Sequence, residues 1–387
     1  MIATLAGCDK DSPVRGHTAL VRCDGPRAGA WALVSLLVLA LVLPARADEF
    51  GSAVYVRSDS DHTTVVSPRV RASADVAPDT NVGVVYGVDV WSSASIDIRA
   101  AASRVVSEQR DEIDASASHD FGDVSLGAAY RWSKENDYLS NAGSLSLAYD
   151  FADNAATLSA SVFVAADAVG RSGDPAFDRP LSSTGGRAGL TQVIDPKTLV
   201  QLSYDLSYFD GYQASPYRFV PLGGAAGCAG RAPLCVPERV PVTRLRHAPV
   251  VRVQRALGAT TSVGLSYRFY VDDWGLRSHT IEARFGWLVA HDAQLSLRYR
   301  FYAQGAAEFY RARYALPSAE FVTVDRELSP LTIQRAGVDY AHAFDLGDST
   351  LLDAGLALGV NFYRYADFPG LDHVTALEVS ASLGLRL

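Results

Sequence analysis

The sequence predicts an all-β fold, a transmembrane antiparallel β-barrel of about 16 strands, give or take two, with short periplasmic turns and long extracellular loops. Three observations predict it. Side chains alternate with period two through most of the chain, the turns come in a short and a long kind, and no run after Leu43 reaches the ~20 apolar residues of a membrane helix. A chain that enters a bilayer without such a helix must close its strands into a barrel, because lipid offers no partner to free backbone N–H and C=O groups.

The alternation is clearest from Ser266 to Tyr310. There Leu295, Leu297, Tyr299 and Phe301 share one parity, and Gln294, Ser296, Arg298, Arg300, Tyr302 and Gln304 share the other. One face of the strand is apolar and the other polar. The aromatic residues near the run ends place the apolar face against lipid and the polar face in the lumen. The same pattern runs through Val82, Val84, Tyr86, Val88 and Val90, through Val124 to Trp132, through Leu202 to Tyr208, and through Leu377 to Leu387. Two runs alternate poorly, Thr64 to Asp75 and Val242 to Arg255, and Pro249 in the second lacks the N–H a paired strand uses.

Short turn signals fall at Ala77–Asp79, Phe121–Gly122, Ala152–Asn154, Asp195–Pro196, Leu257–Ala259, His291–Asp292 and Leu346–Asp348. Between them lie the longer loops Ser92–Val106, Lys134–Asn141, Ala166–Ser182, Asp210–Pro241, Asp272–Arg277, Gly305–Leu331 and Tyr363–Asp372, with a short first one near Asp59. Seven short turns with both ends on one side give the strand count. A β-sandwich would be small for about 340 residues of continuous strand-and-turn pattern, and no fixed-period repeat marks a solenoid.

At the N-terminus, Arg22 and Arg27 precede an apolar run from Trp31 to Leu43, followed by Pro44, Ala45, Arg46 and Ala47. Basic flank, apolar core and Ala-x-Ala end read as a signal peptide. Residues 1–47 are therefore expected to be removed, leaving a single barrel domain over 48–387. Leu5 to Cys8 has the form of a lipoprotein box but lacks a preceding apolar core. Cleavage at Ala47 leaves Cys228 and Cys235, which flank a short loop in an exported protein and form a candidate disulfide.

Several strings are similar to those of outer-membrane barrel proteins grouped as domain of unknown function 3570. They are WSSASID (Trp91–Asp97), SKENDYLSN (Ser133–Asn141), GYQASPYRFV (Gly211–Val220), YRFYVDDWG and HTIEA (Tyr267–Ala283), and YRFYAQGAAEFY (Tyr299–Tyr310). The resemblance implies a barrel in a Gram-negative outer membrane, contact with its lipid, and insertion by the barrel assembly machinery. It implies no activity. The chain ends on Leu387 rather than on the aromatic residue such barrels often carry.

Chemistry-bearing motifs are few. A net charge of −8 without a long Lys/Arg run gives no support for nucleic-acid binding. The eight histidines are dispersed, with no HExxH, CxxCH or His/Cys spacing, so no metal and no cofactor is expected. Asp59, Asp61 and His62 are a weak cation candidate against an ordinary polar loop. Gly347, Asp348 and Ser349 resemble a lipase nucleophile block, but no matching His block follows and the residues suit a turn.

The candidate site is luminal: Arg268, Glu282, Arg284, Arg298 and Arg300 share the inward parity on three successive strands. Cross-strand neighbours ~5 Å apart form a ladder. One reading pairs Glu282 with the arginines and with Tyr270 or Tyr302 as a stiff lining; the other makes the surplus arginine a strip favouring anions. Arg131 and Glu378 are expected to face the same interior, while Tyr130, Trp132, Trp287, Tyr299 and Phe301 are expected in the lipid-facing girdles.

The expected function is a non-enzymatic pore or transport channel, with a closed scaffold holding a periplasmic or lipoprotein partner as the alternative. Mass spectrometry of the exported protein is expected to find Asp48 at its N-terminus, without Cys8 and Cys23.

Overall fold

The structure, a computed structural model, describes residues 48–93, 106–223, 228, 234–316, 319–347 and 349–387. The expected signal peptide, Cys8 and Cys23, most of the loop from Ser92 to Val106, and Asp348 lie outside the described residues. Strands make up nearly all of the regular structure: β1 (Glu49–Asp59), β2 (Thr63–Ala77), β3 (Thr80–Ser93), β4 (Val106–Phe121), β5 (Val124–Lys134), β6 (Tyr138–Phe151), β7 (Ala156–Val169), β8 (Arg179–Asp195) and β9 (Thr198–Gly211) form the first part of the wall. A small hairpin, β10 (Phe219–Pro221) and β11 (Cys235–Pro237), interrupts it. The wall resumes with β12 (Thr243–Ala256), β13 (Thr261–Asp272), β14 (Arg277–Ala290), β15 (Ala293–Gln304), β16 (Leu331–Gly347), β17 (Thr350–Tyr365) and β18 (His373–Arg386).

Sixteen of these strands close into one antiparallel barrel. The seam joins first to last, from Glu49 opposite Arg386 to Asp59 opposite Ala376. All seven short turns sit where the sequence places them, on one rim, opposite the longer loops. Gly122 shows why such a turn needs its residue: at φ +72° it occupies the left-handed region glycine enters without a Cβ penalty.

Strand lengths of 11 to 17 residues exceed the ~9–11 a tilted strand needs to cross the hydrocarbon layer. The wall therefore projects past it, and two expected loops shrink. Lys134–Asn141 becomes the turn 135–137, because β6 already starts at Tyr138, and Ala166–Ser182 becomes 170–178. The prolines are absorbed in a similar way. Pro249 in β12 lies opposite Tyr204, and the β12–β13 ladder skips Ala248 and Pro249 without changing register. Pro68 in β2 lies opposite Val54, and the β2–β3 ladder skips Ser67 and Pro68. A missing donor costs one local bond; the hydrophobic pattern on both flanks still fixes the register.

Parity divides the wall as the alternation requires. Leu145, Val164, Leu202, Leu265, Leu358 and Leu377 stay exposed on the outside, Leu145 at 61% and Val164 at 63%. In the expected girdles, Tyr130, Trp287 and Tyr299 are exposed. Inside, ion pairs tie the strands: Arg69 on β2 reaches past β3 to Glu112 on β4 at 2.9 Å, and neighbouring strands are joined by Arg110 to Asp89, Arg131 to Asp114 at 2.5 Å, Arg187 to Asp205, and Arg386 to Asp353 at 2.8 Å. Much of the interior of β4 to β8 is instead lined by small residues such as Ser118, Ser125, Gly127, Ser146, Ser159 and Ser161, which leave open space.

Arginine on the outer face must leave hydrocarbon for water, whereas arginine inside meets water already. Leu145→Arg is expected to lower folding stability in lipid vesicles by about 2–4 kcal/mol, and Ser146→Arg, one residue on and facing inward, by much less. Reversible urea unfolding into vesicles reads the difference.

Candidate functional site

Two clusters of buried apolar side chains lie above the wall at the long-loop rim, where described residues of 212–242 and 305–330 fold together, and a further one, Leu331, Tyr365 and Val374, sits on strand ends of that rim. Val220, Leu222, Tyr314 and Val322 form one cluster, with Val220 and Val322 fully buried. Trp274, Leu276, Ala307, Tyr310 and Leu328 form a second. Backbone bonds stitch the two segments: Arg239 and Val322 exchange N–H···O bonds of 3.0 and 2.8 Å, and Gly223 N donates to Tyr314 O at 2.9 Å.

Polar groups inside this cap are paired. The buried Glu238 carboxylate accepts from the Thr323 hydroxyl at 2.5 Å and the Ser215 N–H at 2.6 Å, and meets Arg218 at 3.1 Å. Arg218 also reaches Asp325 at 2.9 Å, and Asp325 caps the short 3₁₀ turn Arg326–Leu328. Thr323 N–H donates to the Tyr314 hydroxyl at 2.9 Å, and burial pushes that hydroxyl's pKa up. Cys228 and Cys235 are joined in a disulfide, Cα–Cα 5.7 Å, beside the β10–β11 hairpin. At Gly211, where β9 leaves the wall for the cap, φ is +131° and a Cβ would lie 2.3 Å from Pro180 O.

The cap is fastened to turns around the rim. Arg326 meets Asp61 between β1 and β2 at 2.9 Å, and Tyr310 donates to Asp367 O between β17 and β18 at 2.5 Å. Tyr217 donates to Asp137 between β5 and β6 and accepts from Ser172 N between β7 and β8. Phe309 packs edge-on against Trp274, between β13 and β14, at 5.2 Å.

Asp272, the last residue of β13, organises the side of the mouth below it. Its fully buried carboxylate accepts from Arg244 at 2.5 and 2.8 Å, the Tyr270 hydroxyl at 2.7 Å, and the N–H groups of Trp274 and Leu276 at 3.1 and 3.0 Å. Trp274 donates its indole N–H to Thr243 O at 2.8 Å and carries the Arg244 guanidinium 4.1 Å from its ring centre. Asp272 and Trp274 thus make a buried joint in the turn between β13 and β14.

Beneath the cap lies a cavity of about 800 Å³, lined from the wall and from the cap. Its lining carries six arginines, Arg57, Arg244, Arg246, Arg268, Arg300 and Arg326, against three carboxylates, Glu238, Asp325 and Glu327. Phe209, Tyr270, Tyr302, Tyr363 and Tyr365 supply aromatic surface.

The five luminal residues expected from sequence divide among different settings. Arg268 and Arg300 line this cavity. Arg284 lines a second space of about 620 Å³ nearer the short-turn rim, and its guanidinium is 3.4 Å from Ser296 Oγ. Arg298 is neutralised by Asp339 on β16 at 2.8 Å. Glu282 lies opposite Arg300 and Ser266 in register, yet among the described residues it makes no ion pair. Its expected partners are engaged elsewhere, Tyr270 with Asp272 and Tyr302 with Gln304 at 2.5 Å. Glu378, not Glu282, takes Arg335, at 2.7 Å.

Sequence reasoning missed Arg57, Arg244, Arg246 and the cap. The signal for two of them is present in β12, where Arg244, Arg246 and Arg252 share one parity, but Pro249 and Val250 blur the alternation. Asp59 and Asp61 are not a cation site: Asp59 accepts from the N–H groups of Asp61 and Thr63 and meets Arg57, and Asp61 holds Arg326. Among the described residues, the carboxylates that converge are Glu108, Glu135 and Asp137. Burial pushes the Glu135 carboxyl up, and the Glu108 and Asp137 charges add to this against the pull of Arg110.

The family model described as "Protein of unknown function (DUF3570)" matches residues 102–184 and 178–369. The chain belongs to this family. Its strings GYQASPYRFV, YRFYVDDWG and YRFYAQGAAEFY hold Arg218, Arg268, Tyr270, Asp272, Trp274, Arg300 and Tyr310, so they fall on the cap and the cavity beneath it. No curated protein matches the sequence. Among solved structures, the fold is similar to a bacterial polysaccharide outer-membrane secretin (11% identity, TM-score 0.49, covering 88% of this chain and 98% of that one). It is also similar to OprD of Pseudomonas aeruginosa (8%, 0.43, 88% and 95%) and to the CymD monoaromatic hydrocarbon channel (12%, 0.39, 87% and 87%).

Glu238→Ala leaves Thr323, Ser215 and one side of Arg218 without their acceptor, and breaking a buried pair from one side costs ~3–5 kcal/mol. The cap is expected to open while the wall stays intact. Hydrogen exchange should rise over 212–242 and 305–330 and stay unchanged in the strands.

Proposed function

We propose that this protein is a non-enzymatic passage of the Gram-negative outer membrane for small anionic solutes. Arg246, Arg268 and Arg300, the three arginines of the mouth cavity without an ion-pair partner among the described residues, carry the reading. A barrel of sixteen strands is wide enough for an aqueous lumen. On its inner face Arg246, Arg252, Arg268, Arg284 and Arg300 have no carboxylate within 4 Å among the described residues. Fixed positive charge in a narrow polar path lowers the barrier for anions and raises it for cations.

One observation favours the alternative, a closed scaffold holding a periplasmic or lipoprotein partner: the cap is fastened to turns around the rim. Conductance separates the two readings. In planar bilayers the purified protein is expected to conduct and to prefer anions. A guanidinium–oxyanion contact in a wet lumen is worth ~0.2–1 kcal/mol. Arg268→Ala and Arg300→Ala are therefore each expected to lower the anion-to-cation permeability ratio by roughly 1.4- to 5-fold. Folded protein that does not conduct, or variants with unchanged selectivity, would favour the scaffold.

A further inference from the structure

Three of the six cavity arginines, Arg246, Arg268 and Arg300, have no carboxylate partner among the described residues, and they differ in that from the others. Arg244 is committed to Asp272, Arg57 to Asp59 at 3.1 Å, and Arg326 to Asp61. Arg246 stacks its guanidinium 4.1 Å from the Phe209 ring, and its Nε is buried without a hydrogen-bond partner. Arg268 lies over Tyr270 at 5.6 Å. Arg300 faces Glu282 and Arg335 across the ladder, and Arg335 is already held by Glu378.

Register sets their spacing. Arg268 is opposite Val250, four residues along β12 from Arg246, and Arg300 is level with Ser266, two residues along β13 from Arg268. With ~3.3 Å per residue and ~4.8 Å between strands, successive Cα atoms lie roughly 12–14 Å apart, stepping down the strands by about 13 Å and then about 7 Å. The three guanidiniums thus enter one cavity at three heights. A single small anion cannot satisfy all of them, and an unpaired guanidinium beside a buried orphan N–H is costly unless an oxyanion meets it.

We propose that this cavity is a binding site for a compact solute bearing two or more oxyanion groups, carboxylate or phosphate, with Arg246, Arg268 and Arg300 as its ligands. A volume of about 800 Å³ suits one small molecule. The fork of each guanidinium matches either oxyanion in a bidentate fashion. Tyr302, Tyr363 and Tyr365 also line the cavity and supply surface for the solute's non-ionic part. The site deepens the passage reading and rests on it for the solute's route, but occupancy is measured without conductance.

Isothermal titration of the folded, detergent-solubilised full chain tests the site, with citrate as the polycarboxylate, pyrophosphate as the polyphosphate, and acetate as a single-charge control. Citrate or pyrophosphate is expected to bind and acetate not to; whichever of the two binds more tightly identifies the source of the oxyanion. Arg246→Ala, Arg268→Ala and Arg300→Ala are each expected to weaken binding about tenfold. Arg268→Lys is expected to retain part of it, and Arg386→Ala, outside the cavity, all of it. Absence of binding by both polyanions, equal binding of acetate, or unchanged binding in all three alanine variants overturns the proposal. Binding without conductance keeps the site and removes the passage; conductance without binding does the reverse.

Discussion

A bilayer core gives a backbone N–H or C=O nothing to bond to, and every other feature of this protein follows from that constraint. The strands must satisfy one another, so the first must pair with the last, as Glu49–Asp59 does with Ala376–Arg386. Closure then fixes one face of each strand against lipid and turns the other inward. The constraint is strong enough to absorb local offences. Pro68 and Pro249 each delete a donor from a wall that has no edge strand to hide them on, and the ladder skips a pair and keeps its register.

Inside, the protein behaves as two different materials. The wall carries cross-strand ion pairs between wet side chains, each of modest worth in high dielectric. The mouth resembles a small soluble domain, with fully buried Val220 and Val322, a buried Glu238 whose contacts are all supplied by the cap, and a disulfide beside its hairpin. Asp272 joins the two. One carboxylate at the end of β13 takes five hydrogen bonds from the wall and the following turn, positions Arg244 on Trp274, and so gives the cap a rigid seat. Because Asp272 occupies Arg244, and Asp59 and Asp61 occupy Arg57 and Arg326, the cation surplus in the cavity is confined to three identifiable residues.

The wall was legible in the sequence because its rule is local. A period of two, seven short turns and an even strand count are carried by neighbouring residues, so the strands β3, β5, β9 and β18 could be placed from Val82–Val90, Val124–Trp132, Leu202–Tyr208 and Leu377–Leu387 alone. The inward parity of Arg268, Glu282, Arg284, Arg298 and Arg300 follows from the same rule. Their partners do not, since which charge meets which depends on stagger between strands and on rotamers. Glu282, opposite Arg300 in register, forms no ion pair among the described residues, and Glu378, far along the chain, takes Arg335 instead.

The sequence by itself determined the architecture, the turns, the inward and outward faces and the family, because a membrane imposes alternation residue by residue. Only the tertiary structure decided that the two longest loops are one folded cap rather than solvated variable segments. It also decided that Asp272 and Trp274 are a buried joint, and that Arg246 from β12 joins Arg268 and Arg300 in one cavity. Those contacts link residues tens to hundreds of positions apart, Arg326 to Asp61, 265 positions away, among them. No local pattern can encode a meeting that only the closed ring brings about.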